Sequence, residues 1–349
     1  MPPPASLGFI AGGGSERRRV LSFFVRRAFG IALTMLGMTL VAFLLTHIIP
    51  GDPARAAAGP EADATTVERI RLDMGLDKPL MTQYVVYMSH LFHGNLGQSI
   101  ATRRLVLLDI TKKLPASVEL ALFSMILWLP LGLGIGVYCA VRAGGWSDLG
   151  NRLLSTAGVA MPVFWLALLI QLALGRFLPI AGRINVTISV SHYTGFYLLD
   201  SIVSGSVAAL GSTLAHLALP ALTLSIVSTA RVGRMTRSCV LEVLNQEYVR
   251  TARAKGLSER IVILRHALRN ALIPITTVVG LQVGDLIAYM FLVETVFAWP
   301  GIGRYGVNAI VNLDYPAIIG TVLTTSLIYA LINFSVDVLY TAINPKLRY

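Results

Sequence analysis

Charge is what this sequence has least of. Asp, Glu, Lys and Arg make up 13% of its 349 residues, about half their share in a soluble globular domain. Hydrophobic residues make up 55%, and the mean hydropathy is +0.69. One water-surrounded core could not hide that much apolar side chain, so a soluble fold is excluded. Cysteine is nearly missing as well. Cys139 and Cys239 are the only two, and both fall on the side read below as cytoplasmic, which argues against a disulfide. No lysine is preceded by glycine, which excludes a G-x-x-x-x-G-K-[ST] phosphate loop. Nucleophile, base and metal-ligand residues form no convergent constellation, which argues against a membrane enzyme. The net charge of +11 does not indicate nucleic acid, because the basic residues lie between apolar runs, where they act as a topology signal.

What the chain does have is long uncharged stretches. Residues 28–51, 120–141, 153–175, 201–230 and 315–336 contain no Asp, Glu, Lys or Arg. A sixth stretch, 270–303, is interrupted by Asp285 and Glu294. Each is long enough to cross a bilayer, which takes about 20 residues. The sequence therefore predicts an all-α, polytopic protein with six transmembrane helices and both termini on one side. With the N-terminus inside, the inner segments hold 18 Lys and Arg, against three in the two short outer loops (Arg176, Arg183, Arg304); the first outer loop holds eight, but loops of that length are translocated largely regardless of charge. This asymmetry predicts cytoplasmic termini. The predicted organisation is a cytoplasmic segment at 1–27, with 1–15 disordered, and a membrane domain at 28–349. That domain has a large outer loop at 52–117 and a cytoplasmic loop at 231–272. Two helical patches are expected in the outer loop, one with Val67, Ile70 and Met74 on a face, the other with Leu80, Tyr84, Tyr87, Met88 and Leu91. Such helices would lie on the membrane surface or cover the pore mouth.

The most charged part of the cytoplasmic loop, "EYVRTARAKGLSERIVILRHALRNALIP", predicts a short helix over 247–255 with Val249, Ala252 and Gly256 along one side. Gly256 would end it with a positive φ. Ser258 is a suitable N-cap for a second helix, which enters the membrane at Ile273 and Pro274. Small residues on one flank and arginines on the other suit a docking element for a partner.

This stretch resembles the cytoplasmic coupling loop of ABC importer permeases, in the form carried by the dipeptide, oligopeptide and nickel branch. Arg250, Thr251, Ala252 and Gly256 match the family's Glu-Ala-Ala…Gly pattern, with arginine in place of the glutamate. Further similar stretches follow in order: "IIPGDPARAAAGPEADA", "GLDKPL", "HGNLGQS", "TGFYLLDS", "RMTRS", "GLQVGDL", "VETVFAWPGIGR", "DYP" and "VDVLYTAINPKLRY". The first and last of these are most similar to the permease of glutathione importers. The resemblance implies a type I ABC importer permease fold in the inner membrane. It also implies a second homologous permease, two ATP-binding subunits that hold ATP and Mg, and a periplasmic or lipid-anchored substrate-binding protein. Membrane lipid surrounds the assembly, and no cofactor belongs to this chain. The coupling residues it implies are Arg250, Thr251, Ala252, Arg253, Lys255, Gly256 and Leu257, with Ala252 facing the ATPase. The solute would be a small peptide, with nickel complexes as the alternative within the branch.

Inside the membrane, Gln282, Asp285 and Tyr289 are spaced to share one helical face. A charge at that depth marks function by default. The stripe either lines the solute path, with Asp285 attracting a peptide's amino group, or packs against the partner permease. Glu294 and Asp337 read as structural, and Glu119 as a boundary residue that reaches water. His90 and His93 share a face but lack a third ligand, so no metal site is assigned. A proton-coupled carrier using Asp285 and Glu294 is the alternative from another class. Such carriers often show internal repeats, and none is visible here.

Overall fold

The computed structural model describes residues 13–48, 53–59, 61–73, 75–190 and 193–343. Among them the regular elements are helical, apart from one isolated bridge between Gln98 and Leu105. The chain opens with α1 (Gly13–Ile48). The outer loop carries α2 (Pro53–Ala58), α3 (Ala64–Asp73) and α4 (Leu80–Phe92). Then come α5 (Val106–Val141), α6 (Trp146–Ala160), α7 (Val163–Leu174), α8 (Tyr197–Val203) and α9 (Val207–Leu244). Next are α10 (Glu247–Ala254) and α11 (Glu259–Ile261), and a π-helical segment (Val262–Ala267) that leads directly into α12 (Leu268–Val296). Last are α13 (Ile302–Val311) and α14 (Tyr315–Ile343).

Five helical spans are long and apolar enough to cross a membrane, and the α6–α7 pair makes a sixth if counted as one. Five crossings thus agree with the sequence, and the third expected helix, over 153–175, is not straight. It bends by 108° between α6 and α7. The cause is local: Met161 precedes Pro162 and is extended at ψ 130°, the conformation that a following proline imposes. The second crossing starts at Val106 rather than residue 120, so its helix takes up the last part of the segment assigned to the outer loop. Helix α9 continues to Leu244, so much of the expected loop at 231–272 is helix. Residues 13–15, expected to be disordered, form the first turn of α1.

α5 and α9 are the most intimate pair, and glycine makes that approach possible. A Cβ on Gly136 would stand 2.5 Å from Thr236 Cβ and 2.7 Å from the Gly233 carbonyl oxygen, and one on Gly132 would press on Val232. Small residues spaced by four allow two helix backbones to close in this way within a membrane. One apolar core runs between α5, α7, α9 and α12, from Leu120 through Leu217 and Leu224 to Val293 and Trp299. A second holds α10 against the ends of α5, α9 and α12. α1 and α14 pair at one edge. Arg27 and Asp337 form an ion pair there, so the start of the first crossing and the end of the last lie at the same end of the bundle. At the opposite end, α4 docks on α1. Tyr84 stacks edge-on to Phe43 at 5.3 Å, and its hydroxyl lies 3.0 Å from Thr39 Oγ1. The patch read from Val67 and Ile70 lies on α3; Met74 lies outside the described residues.

Candidate functional site

Three constellations of polar residues stand out in this apolar frame. The first is the turn after α10. Val249 and Ala252 are buried, packed with Cys239, Val240 and Leu244 of α9 and with Val262, Ala267 and Ala271 of the following helix. The expectation that Ala252 faces a partner is therefore corrected: at 6% exposure it anchors α10 to its own chain. Arg250, Thr251, Arg253, Lys255, Gly256 and Leu257 are exposed and form the outward face. Gly256 has φ +76°. Its N–H donates to the Arg253 carbonyl at 2.9 Å, and that of Leu257 to the Ala252 carbonyl at 3.4 Å. This is the paired closure of a Schellman motif, with glycine in the left-handed position. Ser258 takes the extended N-cap position before α11, but its hydroxyl makes no capping bond. The turn is fastened instead by Arg253, which donates to both carboxylate oxygens of Glu259, at 2.6 and 3.1 Å. Asn270 Nδ2 donates to Tyr248 Oη at 2.9 Å and ties α10 to the incoming span. The result is a cationic knob whose turn is closed by hydrogen bonds within this chain.

The second constellation lies between α9 and α12. Asp285 is ion-paired with Arg231, whose guanidinium also donates to Tyr289 Oη at 3.0 Å. Gln282 is buried and donates from Nε2 to Ser228 Oγ at 3.1 Å, while its Oε1 accepts nothing. Asp285 and Tyr289 share the predicted face, but the expectation for Gln282 is corrected: it turns inward to Ser228 and is buried. The charge of Asp285 is balanced by a residue the sequence had placed in the cytoplasmic loop. Arg231 stands level with Asp285, in the middle of α12. That removes one charge from the inner count and leaves the sign of the asymmetry unchanged. Side-chain exposure of 36% for Arg231 and 47% for Asp285 shows that the pair faces an open surface of this chain.

The third constellation closes the opposite end. Glu119 on α5 is not water-exposed as expected but 4% exposed. Arg183 donates to its Oε2 at 2.9 and 2.6 Å, and the Leu198 N–H to its Oε1 at 2.7 Å. Arg183 also donates to the Gly195 carbonyl at 2.7 Å and lies 3.8 Å from the Tyr197 ring centroid. Glu294, fully buried on α12, accepts from Ser117 Oγ at 2.6 Å and from the Arg304 N–H at 3.1 Å. Trp299 Nε1 donates to the Ala116 carbonyl at 2.9 Å. Ser99 donates to Asp314, whose Oδ2 also accepts from the Ala101 N–H at 3.1 Å. At Asp200, burial opposes the charged form, yet hydrogen bonds from Thr194 and Gly195 hold the carboxyl below the ordinary aspartate range. "HGNLGQS", "TGFYLLDS", "VETVFAWPGIGR" and "DYP" therefore converge in space as a scaffold, which makes Glu294 structural. Arg183, Ser117 and Arg231 were missed. None carries a local pattern, and each gains meaning only from a partner at least 54 residues away.

His93 turns its Nδ1 to the Ser89 carbonyl at 2.7 Å. Among the described residues no three His, Cys, Asp or Glu side chains gather where they could hold a metal. Cys139 and Cys239 are both buried and unbridged.

A bundle of about six crossings, a rigid cationic turn at one end and a polar pair on an open face define a membrane transport component. Its sequence matches the family described as "Binding-protein-dependent transport system inner membrane component" over residues 132–349 and that family's N-terminal region over residues 20–121. The chain belongs to this family: it is a non-catalytic, multi-pass inner-membrane permease of an ABC transport system that works with a binding protein and ATPases. It is 44% identical over 330 residues to the probable D,D-dipeptide transport system permease protein DdpB of Escherichia coli K12, covering 93% of this chain and 97% of that one. It is 40% identical to the dipeptide transport system permease protein DppB of Alkalihalophilus pseudofirmus, covering 95% and 100%. Identity to the glutathione transport system permease protein GsiC of Pectobacterium atrosepticum is 39%, over 95% and 100% of the two chains.

Proposed function

We propose that this chain is the subunit through which an ATP-driven importer passes small peptides: dipeptides, oligopeptides or glutathione. The observation that carries the reading is full-length similarity near 40% to permeases named for dipeptides and for glutathione. The chain pairs with a second, homologous permease. Each permease seats its α10 turn on one of two cytoplasmic ATPases, which hold ATP and Mg, and a binding protein delivers solute to the outer face. Both termini are cytoplasmic, residues 28–349 form the permease domain, and the outer-loop helices face the periplasm. Arg250, Thr251, Arg253, Lys255, Gly256 and Leu257 touch the ATPase, and the buried Ala252 holds the knob in place. Closure of the ATPases pulls on this knob, and the rigid continuation from α11 into α12 transmits the movement to the spans, so that access alternates. Asp285 and Tyr289 line the solute path, with Asp285 attracting the peptide's amino group, and the buried Gln282 supports them from within the bundle.

The test is uptake of radiolabelled dipeptide, oligopeptide and glutathione into proteoliposomes holding both permeases and both ATPases, with the binding protein added outside. ATP-dependent uptake of at least one supports the reading. ATP hydrolysis stimulated by the binding protein, with none of the three taken up, refutes it.

A further inference from the structure

We infer that Arg231 and Asp285 form an exchangeable charge pair that reads both ends of a zwitterionic solute, so that the path favours peptides with free amino and carboxyl termini. The inference rests on the path reading above and adds Arg231 to it as a specificity-determining residue.

Three observations support it. Arg231 and Asp285 come from different helices, α9 and α12, and meet on a face where both remain partly exposed, so a solute can reach the pair. The guanidinium has a second anchor in the Tyr289 hydroxyl at 3.0 Å and keeps its place if the carboxylate leaves. Nearby, the buried Gln282 Oε1 accepts no hydrogen bond, an unmet acceptor one turn from Asp285.

The selectivity follows from charge balance. At rest the two side chains neutralise each other, and the apolar bundle carries no net charge at this level. A solute with one charge can open the pair only by leaving the other member without its partner inside an apolar bundle, which is unfavourable. A zwitterion satisfies both at once: its ammonium takes Asp285, and its carboxylate takes the fork of Arg231, whose planar donors suit that group. The ends of a dipeptide lie about 7 Å apart, within reach of Arg231 held at Tyr289 and of Asp285 swinging away from it. The pair therefore discriminates through the unpaired charge it would leave with the wrong solute.

The experiment uses the complete transporter in proteoliposomes with three probes: alanyl-alanine (zwitterion), N-acetyl-alanyl-alanine (anion) and alanyl-alanine amide (cation). Each variant's rate is divided by the wild-type rate for the same probe, which cancels the preference of the binding protein. Assembly is read by co-purification of the ATPases. Asp285→Asn is expected to lower zwitterion and cation uptake by about tenfold or more while sparing the anion, and Arg231→Gln to spare the cation instead. The double variant Arg231→Gln/Asp285→Asn, which strands no charge, is expected to lose the zwitterion preference although it assembles. Full zwitterion uptake by the assembled double variant overturns the inference. So does an equal loss of all probes in both single variants, which marks the pair as a structural clasp. In those cases the peptide reading stands. If the wild-type complex carries none of the probes, the path reading falls and takes this inference with it.

Discussion

Arg183 lies against Glu119 with both side chains almost fully buried, Nη2 2.6 Å from Oε2. Glu119 is on α5 and Arg183 in the segment between α7 and α8, so the pair fastens an irregular outer stretch to the bundle. Removing one partner of a buried pair typically costs about 3–5 kcal/mol, because the other charge is left unpaired. Glu119→Gln is expected to lower the thermal stability of the purified complex by that amount. Glu119→Gln combined with Arg183→Met should cost less than Glu119→Gln alone. A melting temperature unchanged in Glu119→Gln would show that the pair is solvated.

Gly136 reports on the α5–α9 contact. Gly136→Leu must push the helices apart, since even a Cβ meets Thr236 and the Gly233 carbonyl, and overpacking typically costs about 1–3 kcal/mol. Gly134→Leu, two residues away with nothing within 4 Å of its Cβ position, is expected to be neutral. Thermal unfolding of the two variants side by side makes the comparison; equal effects would contradict this packing.

The α10 turn separates backbone from contact effects. A Cβ at Gly256 meets nothing within 4 Å, yet φ is +76°. Gly256→Asn should therefore keep the turn, while Gly256→Val should distort it, because a β-branched residue tolerates that conformation poorly. The expected result is ATPase co-purification retained with Asn and lost with Val. Val behaving like Gly would remove the turn from the coupling role.

Ala252 gives a contrasting prediction. Because it is buried against Val262 and Ala267, Ala252→Glu places an unpaired carboxylate inside this chain's own core, at a cost typically of several kcal/mol. It should expose the turn to proteolysis even in the permease expressed without ATPases. Normal protease resistance in that preparation, with defects only in the full complex, would return Ala252 to the interface.

Orientation is open to direct labelling. A cysteine placed at Ala62 is expected to react with an impermeant thiol reagent in intact spheroplasts, and one at Ser258 only after lysis. The reverse pattern would invert the topology.

The class, the five long apolar helices and the position of the α10 turn were legible in the sequence alone. Those features depend on local quantities: uncharged run length, the sign of flanking charge, and a glycine where the chain needs positive φ. The shared face of Asp285 and Tyr289 was legible for the same reason, since helical periodicity acts within one segment, whereas the burial of Gln282 against Ser228 was not. The side Ala252 faces, the pairing of Asp285 with Arg231, the burial of Glu119 under Arg183 and the 108° break after Ala160 were decided only by the tertiary structure. Apart from the break, each depends on which helix lies alongside another and in what register, and in an apolar bundle many registers satisfy the same hydrophobic pattern. The break itself had a local cause in Pro162, but its size is set by how α6 and α7 pack on α9. What selects one register is close packing at glycines and the requirement that every buried charge find its partner, and both are properties of the assembled chain.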